Sequence, residues 1–158
     1  MCIRDRLCAV CDVDVALATE FSSEYSVPSL EWAEILEDSS IDAVAIATPA
    51  EVHSTQALQS LQADKHVFVE KPLALHSYEA EEIIALANQG ERVLMVGHLL
   101  QYHPAFLALR DLTEAGKLGR LQYIYSNRLN FGKVRREENV FWSFAPHDIS
   151  MILSLTGE

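Results

Sequence analysis

The 158-residue sequence has few cationic residues and no long hydrophobic run, and each shortage excludes a class of protein. Lysine and arginine number 12 against 23 aspartates and glutamates, so the net charge is -11. Nucleic acids and anionic membranes both require a cationic surface, so neither is expected as a partner. No apolar run approaches the roughly 20 residues that cross a bilayer.

Cysteine is also scarce, and residues 1–6 lack the apolar core of a signal peptide, so a cytoplasmic location is expected. Cys2, Cys8 and Cys11 are odd in number and lie near one end, which suits a reducing compartment. Cys8 and Cys11 have the C-x-x-C spacing of zinc sites, but residues 7–11 have the pattern of a buried strand. Side chains three positions apart on a strand point to opposite faces, so core packing is expected and no metal site.

Short continuous apolar runs alternate with amphipathic stretches over the first hundred residues. The runs predict strands covered on both faces, as in a parallel sheet. The predicted strands are 7–11, 42–47, 66–69 and 93–96. The predicted helices are 14–26, 29–38, 52–63 and 76–89. The last helix has one predicted buried face, formed by Ala80, Ile83, Ile84 and Ala87. This alternation indicates βαβ units in an α/β fold.

The pattern changes after residue 100. Pro104 is expected to begin a helix that Gly116 and Gly119 end. Residues 121–130 have the alternating, aromatic character of a half-exposed strand in a different, antiparallel sheet. A last helix is predicted to start near Pro146.

A domain boundary is therefore expected near residues 97–103. It would separate a domain at 1–100 from the beginning of a second domain at 101–158. Residues 7–11 have the character of a central strand, and the chain stops within the last predicted helix, so a fragment of a longer protein is expected.

The first two predicted strands end in residues suited to binding a dinucleotide. Asp12 stands where an acidic side chain would accept hydrogen bonds from the adenosine ribose. The G-x-G-x-x-G turn that should precede such a strand is absent, and acidic residues also commonly start turns. Thr48 and Pro49 end the second strand, and the next helix would present backbone N–H groups and His53 to a bound molecule. Thr-Pro is equally an ordinary strand-to-helix turn.

Glu70 and Lys71 follow directly after the third buried run, with Pro72 behind them. The proline favours an extended conformation at Lys71. A partly desolvated lysine at the mouth of a sheet is a candidate for proton transfer with a hydroxyl group. The alternative is a surface ion pair worth about 0–1 kcal/mol.

His147 and Asp148 are expected in the first turn of the last helix. An acidic side chain there suits the helix dipole. A histidine at that position is either a solvated helix end or a group that takes part in proton transfer.

Taken together, these segments resemble the Gfo/Idh/MocA family, which includes glucose–fructose oxidoreductase and inositol dehydrogenase. Six similar segments occur in the family's order, and their combination is more specific than any one of them. The segments are 10–12, 41–49 with His53, 65–74, 96–98, 116–119 and 146–149.

The resemblance implies a Rossmann-type doubly wound parallel sheet, here without its first βα unit. The start of an α/β domain with an antiparallel sheet would follow. In the family this second domain is often used for homo-oligomerisation, so a homo-oligomer is expected. It also implies NAD(P) as cofactor, with Lys71 and His147 flanking the reacting carbon. The cofactor-binding residues that it implies are Asp12, Thr48, Pro49, His53, Glu70 and Lys71.

The sequence departs from the family's pattern around His147. Members of the inositol dehydrogenase type carry an aspartate four residues before the histidine, where this chain has Ser143. The position three residues after it is also often aspartate, and here it is Ser150. A proton relay would therefore use His147 with Lys71 or Asp148.

Residues 142–150 and 126–130 look most like family members that oxidise the 3-hydroxyl of UDP-linked N-acetylhexosamines or their uronates. Arg128 and Asn130 share one face of the predicted strand, so both would address polar groups of a substrate. Asp148 is the third substrate-binding candidate.

The resemblance thus implies reversible hydride transfer between a sugar hydroxyl carbon and a nicotinamide. NAD is expected rather than NADP, because Asp12 would repel a 2′-phosphate and no arginine follows it. A non-catalytic NAD(P)-sensing regulator of the same fold is the alternative, although the presence of Lys71 and His147 counts against it. Without the glycine-rich turn, this 158-residue chain by itself is expected not to bind the pyrophosphate and to be inactive, whatever the activity of the longer protein.

Overall fold

The computed structural model of the chain describes residues 6–127 and 140–157. The described residues form a parallel sheet with helices before, between and after its strands. The strands are β1 (Ala43–Ile46), β2 (His66–Val69) and β3 (Leu94–Val96). The helices are α1 (Val15–Tyr25), α2 (Trp32–Glu37), α3 (Ala50–Gln62), α4 (Ser77–Gln89), α5 (Pro104–Glu114) and α6 (Val140–Thr156), with a 3-10 helix at Leu99–Tyr102.

The strands are hydrogen-bonded in the order β1-β2-β3, and both pairings are parallel. They lie within the second, third and fourth predicted strands, so the prediction of a parallel α/β sheet is confirmed. Helices α3 and α4 connect successive strands, because parallel neighbours need a crossover connection.

The hydrophobic core lies on one face of this sheet, against apolar residues of α3 and α4. The buried strand residues are Val44, Ile46, Val67 and Val69. On the other face Ala43, Ala45 and Met95 are exposed. Among the described residues, helices therefore cover one face of the sheet. The continuous apolar runs of the sequence predict that both faces of the sheet are covered.

Helix α4 buries a narrower face than its sequence predicts. Ile83 and Ala87 are 0% and 3% exposed, and Ala80 packs against the edge of the core. Ile84 is 47% exposed, so its assignment to the buried face is wrong. Successive residues of a helix are about 100° apart, which turns Ile84 away from the sheet when Ile83 faces it.

Residues 7–11 do not form the predicted strand. Val10 makes an isolated parallel bridge to Ser29, and no described strand pairs with its other edge. Leu7 is 50% exposed and Cys11 is exposed. The apolar pattern alone predicted a buried strand here, but a strand needs partners that the described residues do not provide.

The two described cysteines therefore differ in their surroundings. Cys8 is half-buried against the core, as predicted, whereas core packing is wrong for the exposed Cys11. Among residues 6–127 and 140–157, no group of three histidine, cysteine, aspartate or glutamate side chains is placed to hold a metal ion. No helix in these ranges is long and apolar enough to cross a membrane.

Helix α5 begins at Pro104, as predicted, and Gly116 follows its end with φ +66°. Residues 121–127 form no strand, and Tyr123 and Tyr125 are 84% and 78% exposed. The rest of the strand predicted at 121–130 lies outside the described residues.

Helix α6 begins at Val140, so the predicted start near Pro146 is wrong. Pro146 lies inside the helix, where it lacks an N–H to donate to the preceding turn. His147 and Asp148 consequently lie in the middle of α6 and not in its first turn. The dipole of the helix N-terminus, which acts within about one turn, does not account for Asp148.

Candidate active site

The carboxyl ends of the three strands lie side by side. The register places Ile46 beside Val69, and Val69 beside Val96. The Glu70 N–H donates to the Ile46 carbonyl at 2.9 Å, and the Gly97 N–H donates to the Val69 carbonyl at 2.8 Å. The segments that follow the strands therefore leave from one edge, which is where open α/β sheets bind ligands.

Glu70 occupies space at this edge that a glycine leaves open. A Cβ atom at position 97 would lie 3.1 Å from both carboxylate oxygens of Glu70. The Lys71 N–H donates to Glu70 Oε2 at 3.3 Å. Because Gly97 is buried, the Glu70 carboxylate would have to shift by a few tenths of an ångström to accommodate a side chain there.

Two histidines from distant parts of the chain meet beside these residues. His98 follows β3, and its ring lies edge-to-face on that of His147 of α6, with centroids 6.1 Å apart. Burial lowers the pKa of His98, the Glu70 carboxylate opposes this, and Lys71 lowers it further. The structure thus brings the two predicted catalytic residues, Lys71 and His147, to one region together with His98 and Glu70.

Because its pKa is lowered in the folded state, His98 makes stability depend on pH. As pH falls below about 6.5, the His98 side chain takes up a proton in the unfolded chain before it does so in the native chain. Stability attributable to His98 is therefore present at neutral pH and is lost as pH falls to its folded-state pKa. Urea unfolding from about pH 7 to pH 5 should show a smaller loss of stability for His98→Gln than for the wild type. Identical pH profiles would contradict this expectation.

Gln101 ties α6 to the segment that follows β3. Its side-chain amide donates to the Ser150 carbonyl at 2.7 Å and to Ser150 Oγ at 2.6 Å. Ser150 lies one turn after His147 on the same helix. This contact therefore fixes the position of His147 relative to His98.

Replacing Gln101 with leucine should lower the free energy of unfolding by about 1–3 kcal/mol, because two part-buried hydrogen bonds are lost. Gln122→Leu is the matched control, because this residue is exposed and its amide donates to the nearby Arg120 carbonyl at 3.3 Å, a local contact that joins no two helices. Urea unfolding measures both variants, and hydrogen exchange should show faster exchange of α6 amides in Gln101→Leu only. Equal losses in the two variants would contradict the role of Gln101.

Among the residues predicted to bind the cofactor, Thr48 and Pro49 are exposed where the chain leaves β1. The Thr48 hydroxyl donates to Gln56 Oε1 at 2.6 Å. His53 is 1% exposed, with Nδ1 2.7 Å from the Pro72 carbonyl oxygen and Nε2 2.8 Å from that of Thr48. Both ring nitrogens contact the backbone, so the structure places the His53 side chain inside the protein and not on a ligand-binding surface.

Asp12 is exposed after the bridged residue Val10, and its Oδ1 accepts a hydrogen bond from the Asp14 N–H at 2.8 Å. Although Cys11 is exposed overall, partial desolvation of its thiol raises the pKa, and the carboxylates of Glu31 and Asp12 raise it further. This corner of the molecule therefore has a negative potential.

The predicted substrate-binding residues are described only in part. Arg128 and Asn130 lie outside the described residues. Asp148 accepts a hydrogen bond from Ser126 Oγ at 3.1 Å, beside His147 on α6.

A cavity of about 310 Å³ lies at the opposite edge of the sheet. Asp42, Lys65, His66 and Arg92 line it, and they lie at the amino ends of the strands. Ligands of open α/β sheets bind beyond the carboxyl ends, so the candidate site is the one around Lys71.

The sequence pattern indicated no role for His98 or Gln101. The signal for His98 was available, because a polar residue directly after a predicted strand is the feature that singled out Lys71. Nothing in the sequence pairs Gln101 with Ser150, which is 49 positions away.

Comparison with known proteins identifies the family. A family model, GFO_IDH_MocA, described as an oxidoreductase family with an NAD-binding Rossmann fold, matches residues 3–98. The chain belongs to the Gfo/Idh/MocA family of oxidoreductases.

Individual relatives cover most of this chain. The UDP-N-acetylglucosamine 3-dehydrogenase of Acidithiobacillus ferrooxidans is 33% identical over 153 residues, which are 96% of this chain and 47% of that protein. The inositol 2-dehydrogenase of Salmonella typhimurium is 25% identical over 130 residues, 80% of this chain and 39% of that protein. The chain therefore spans about half or less of the length of these curated relatives.

A solved structure from Sinorhizobium meliloti, provisionally assigned as a myo-inositol dehydrogenase, has a similar fold. It superposes with a TM-score of 0.83 at 26% identity, covering 97% of this chain and 48% of that one.

Proposed function

We propose that this protein acts as an NAD-dependent dehydrogenase on a sugar hydroxyl group, with Lys71 and His147 as the proton-transferring pair. The observation that carries the proposal is that Lys71 and His147, the two residues predicted to be catalytic, both lie near His98, which follows β3 at the carboxyl ends of the strands. Lys71 follows β2, and His147 reaches the same region from α6 by way of His98.

The edge fits the nicotinamide end of a dinucleotide. His98 Nδ1 is buried and has no hydrogen-bond partner among the described residues, so a polar group of a ligand would satisfy it. Thr48 and Pro49 are exposed on the neighbouring segment and would lie along the cofactor. When bound, the nicotinamide ring supplies the hydride acceptor.

The chain's own residues would handle the proton. Lys71 and His147 are the two candidate bases for the substrate hydroxyl, and the group that does not take the proton would stabilise the developing negative charge on oxygen. Glu70 would hold the Lys71 backbone through its contact with the Lys71 N–H.

We propose a nucleotide sugar of the UDP-N-acetylhexosamine or uronate type as substrate, oxidised at the 3-hydroxyl. The support is the 33% identity over 153 residues to a protein named UDP-N-acetylglucosamine 3-dehydrogenase. Another relative is named inositol 2-dehydrogenase, so inositols are the competing substrate class. Arg128, Asn130 and Asp148 stay candidates for substrate binding.

NAD is preferred over NADP on electrostatic grounds. Asp12 and Glu31 both act on Cys11, so two carboxylates lie near the position expected for the adenosine ribose. A 2′-phosphate there would be repelled, and an acidic residue suits the free 2′-hydroxyl of NAD.

The test is to incubate the complete protein, with the glycine-rich turn that the dinucleotide pyrophosphate needs, with NAD and, separately, with NADP, together with UDP-N-acetylglucosamine, its uronate, glucose and myo-inositol. Formation of the reduced nicotinamide is followed by absorbance. Turnover with NAD and a UDP-sugar is expected. Turnover with inositol alone would overturn the substrate proposal, and binding of the dinucleotide without turnover of any substrate would favour the regulatory alternative.

A further inference from the structure

His98 connects the two residues predicted to be catalytic. Its ring is nearly perpendicular to that of His147, with the centroids 6.1 Å apart, and the charges of Glu70 and Lys71 act on its titration. His98 comes two residues after the end of β3, at the carboxyl ends of the strands. The ring and charge interactions described for this side chain are therefore all with residues of the candidate site.

A second contact, one turn away, holds the two rings in place. The Gln101 N–H donates to the His98 carbonyl at 3.0 Å, which closes one turn of the 3-10 helix. Ser150 lies one turn after His147 on α6, and the Gln101 amide donates to the Ser150 carbonyl and hydroxyl. His98 is thus fixed beside His147 before any ligand binds, as is required of a group that acts on a reacting atom.

One nitrogen of the His98 ring is unsatisfied. Nδ1 is buried and has no hydrogen-bond partner among the described residues. Such an atom destabilises a protein, whereas a phenylalanine ring would keep the perpendicular contact without this nitrogen. Because most buried polar atoms have partners, an exception is expected where a ligand or a reaction uses the atom. A half-turn of the ring about its Cβ–Cγ bond exchanges nitrogen and carbon positions, so the ring can direct a nitrogen to a ligand without leaving its place.

The surroundings favour an uncharged His98 ring at neutral pH. Burial lowers the pKa of His98, the Glu70 carboxylate opposes this, and the Lys71 ammonium lowers it further. A neutral imidazole still has one N–H to donate. Neutral imidazole donors suit an oxygen that becomes negative during a reaction, because they stabilise its charge.

We propose that His98 is a third catalytic residue, which donates a hydrogen bond to the oxygen of the hydroxyl group that is oxidised. This role rests on the proposed function, since it needs that reaction and the roles of Lys71 and His147. In the step, the hydride leaves the hydroxyl-bearing carbon for the nicotinamide, and the hydroxyl proton passes to Lys71 or His147. His98 keeps its own proton and stabilises the negative charge that develops on the oxygen.

Replacing His98 with phenylalanine in the complete protein separates this role from a structural one. With NAD and the preferred sugar, kcat should fall by about 10²–10³-fold, the usual effect of removing one donor to a developing oxyanion, while KM changes little. At neutral pH the urea midpoint of unfolding should be at least that of the wild type, because the ring contact stays and the unsatisfied nitrogen is removed.

His66→Phe is the matched control, at the opposite ends of the strands. His66 Nδ1 accepts a hydrogen bond from the Val93 N–H at 2.9 Å. Loss of this bond should lower the urea midpoint of His66→Phe and leave its kcat at the wild-type value. The two variants are therefore expected to differ from the wild type in opposite properties.

Wild-type kcat in His98→Phe, or a change in KM alone, would overturn the catalytic role of His98 and leave the proposed function intact. A loss of kcat together with a lower urea midpoint in His98→Phe would assign the ring a structural role and overturn it as well. If the wild-type protein turned over none of the sugars, the proposed function and this role of His98 would fail together.

Discussion

Replacing Lys71 with methionine is expected to reduce turnover by about 10²–10⁴-fold, the usual contribution of a positioned acid or base. Methionine is similar to lysine in length and flexibility but has no titratable group. Lys71 is half-buried where the chain leaves β2, beside His98 and Glu70, so a substrate held at this edge would lose its proton-transfer partner. Initial rates with NAD and the preferred sugar measure the effect.

Affinity for the dinucleotide should change little in Lys71→Met, because the lysine is proposed to act on the substrate hydroxyl. Titration calorimetry measures this affinity independently of turnover. Lys117→Met is the control, because Lys117 is exposed beyond the end of α5 and its replacement removes the same charge. Full turnover in Lys71→Met, or an equal loss in Lys117→Met, would remove Lys71 from the mechanism.

The strands β1, β2 and β3 could be predicted because each is a short apolar run whose length and flanking turns suit a parallel sheet. The helices α1, α3 and α4 were predicted for a similar reason, since their apolar residues recur with the period of a helix. Helix α2 is shorter than predicted at its start, because Ser29 pairs with Val10 and Glu31 caps the helix. The sequence pattern within residues 29–38 cannot show that Ser29 pairs with a residue elsewhere in the chain.

Residues 7–11 and 121–127 show where local patterns fail. Both have the composition of strands, but an extended segment becomes a strand only when a neighbour supplies hydrogen bonds. The prediction of where α6 begins was wrong for a different reason. Proline is common as the first residue of a helix, so the sequence predicts a start near Pro146. A proline inside a helix destabilises it by about 3 kcal/mol, but tertiary packing can offset this loss.

Part of the candidate site could be predicted as well. Lys71 and Glu70 were singled out by their place after a buried run, and His147 by its resemblance to a family segment. The contacts of His53 could not be predicted, because they join carbonyl groups that follow two different strands. The sequence predicts only that His53 lies near the carboxyl ends of the strands. The structure shows that both nitrogens of its ring contact backbone carbonyl oxygens.

The second prediction concerns the stability of the hydrophobic core, where a large effect is expected. Replacing Ile83 with alanine should lower the free energy of unfolding by about 2–5 kcal/mol, because its side chain is 0% exposed between α4 and the sheet. Most domains are stable by only about 5–15 kcal/mol, so this variant should unfold at a much lower urea concentration.

The neighbouring Ile84 is the matched control for Ile83. The same substitution at Ile84 removes the same atoms from the same helix, but this side chain is 47% exposed. Alanine also has a better helix propensity than isoleucine, so the change in stability should stay within about 0.5 kcal/mol. Urea unfolding followed by circular dichroism measures both variants. If Ile84→Ala were as destabilising as Ile83→Ala, α4 would present the broader face that its sequence predicts, and the packing of α4 on the sheet would have to be different.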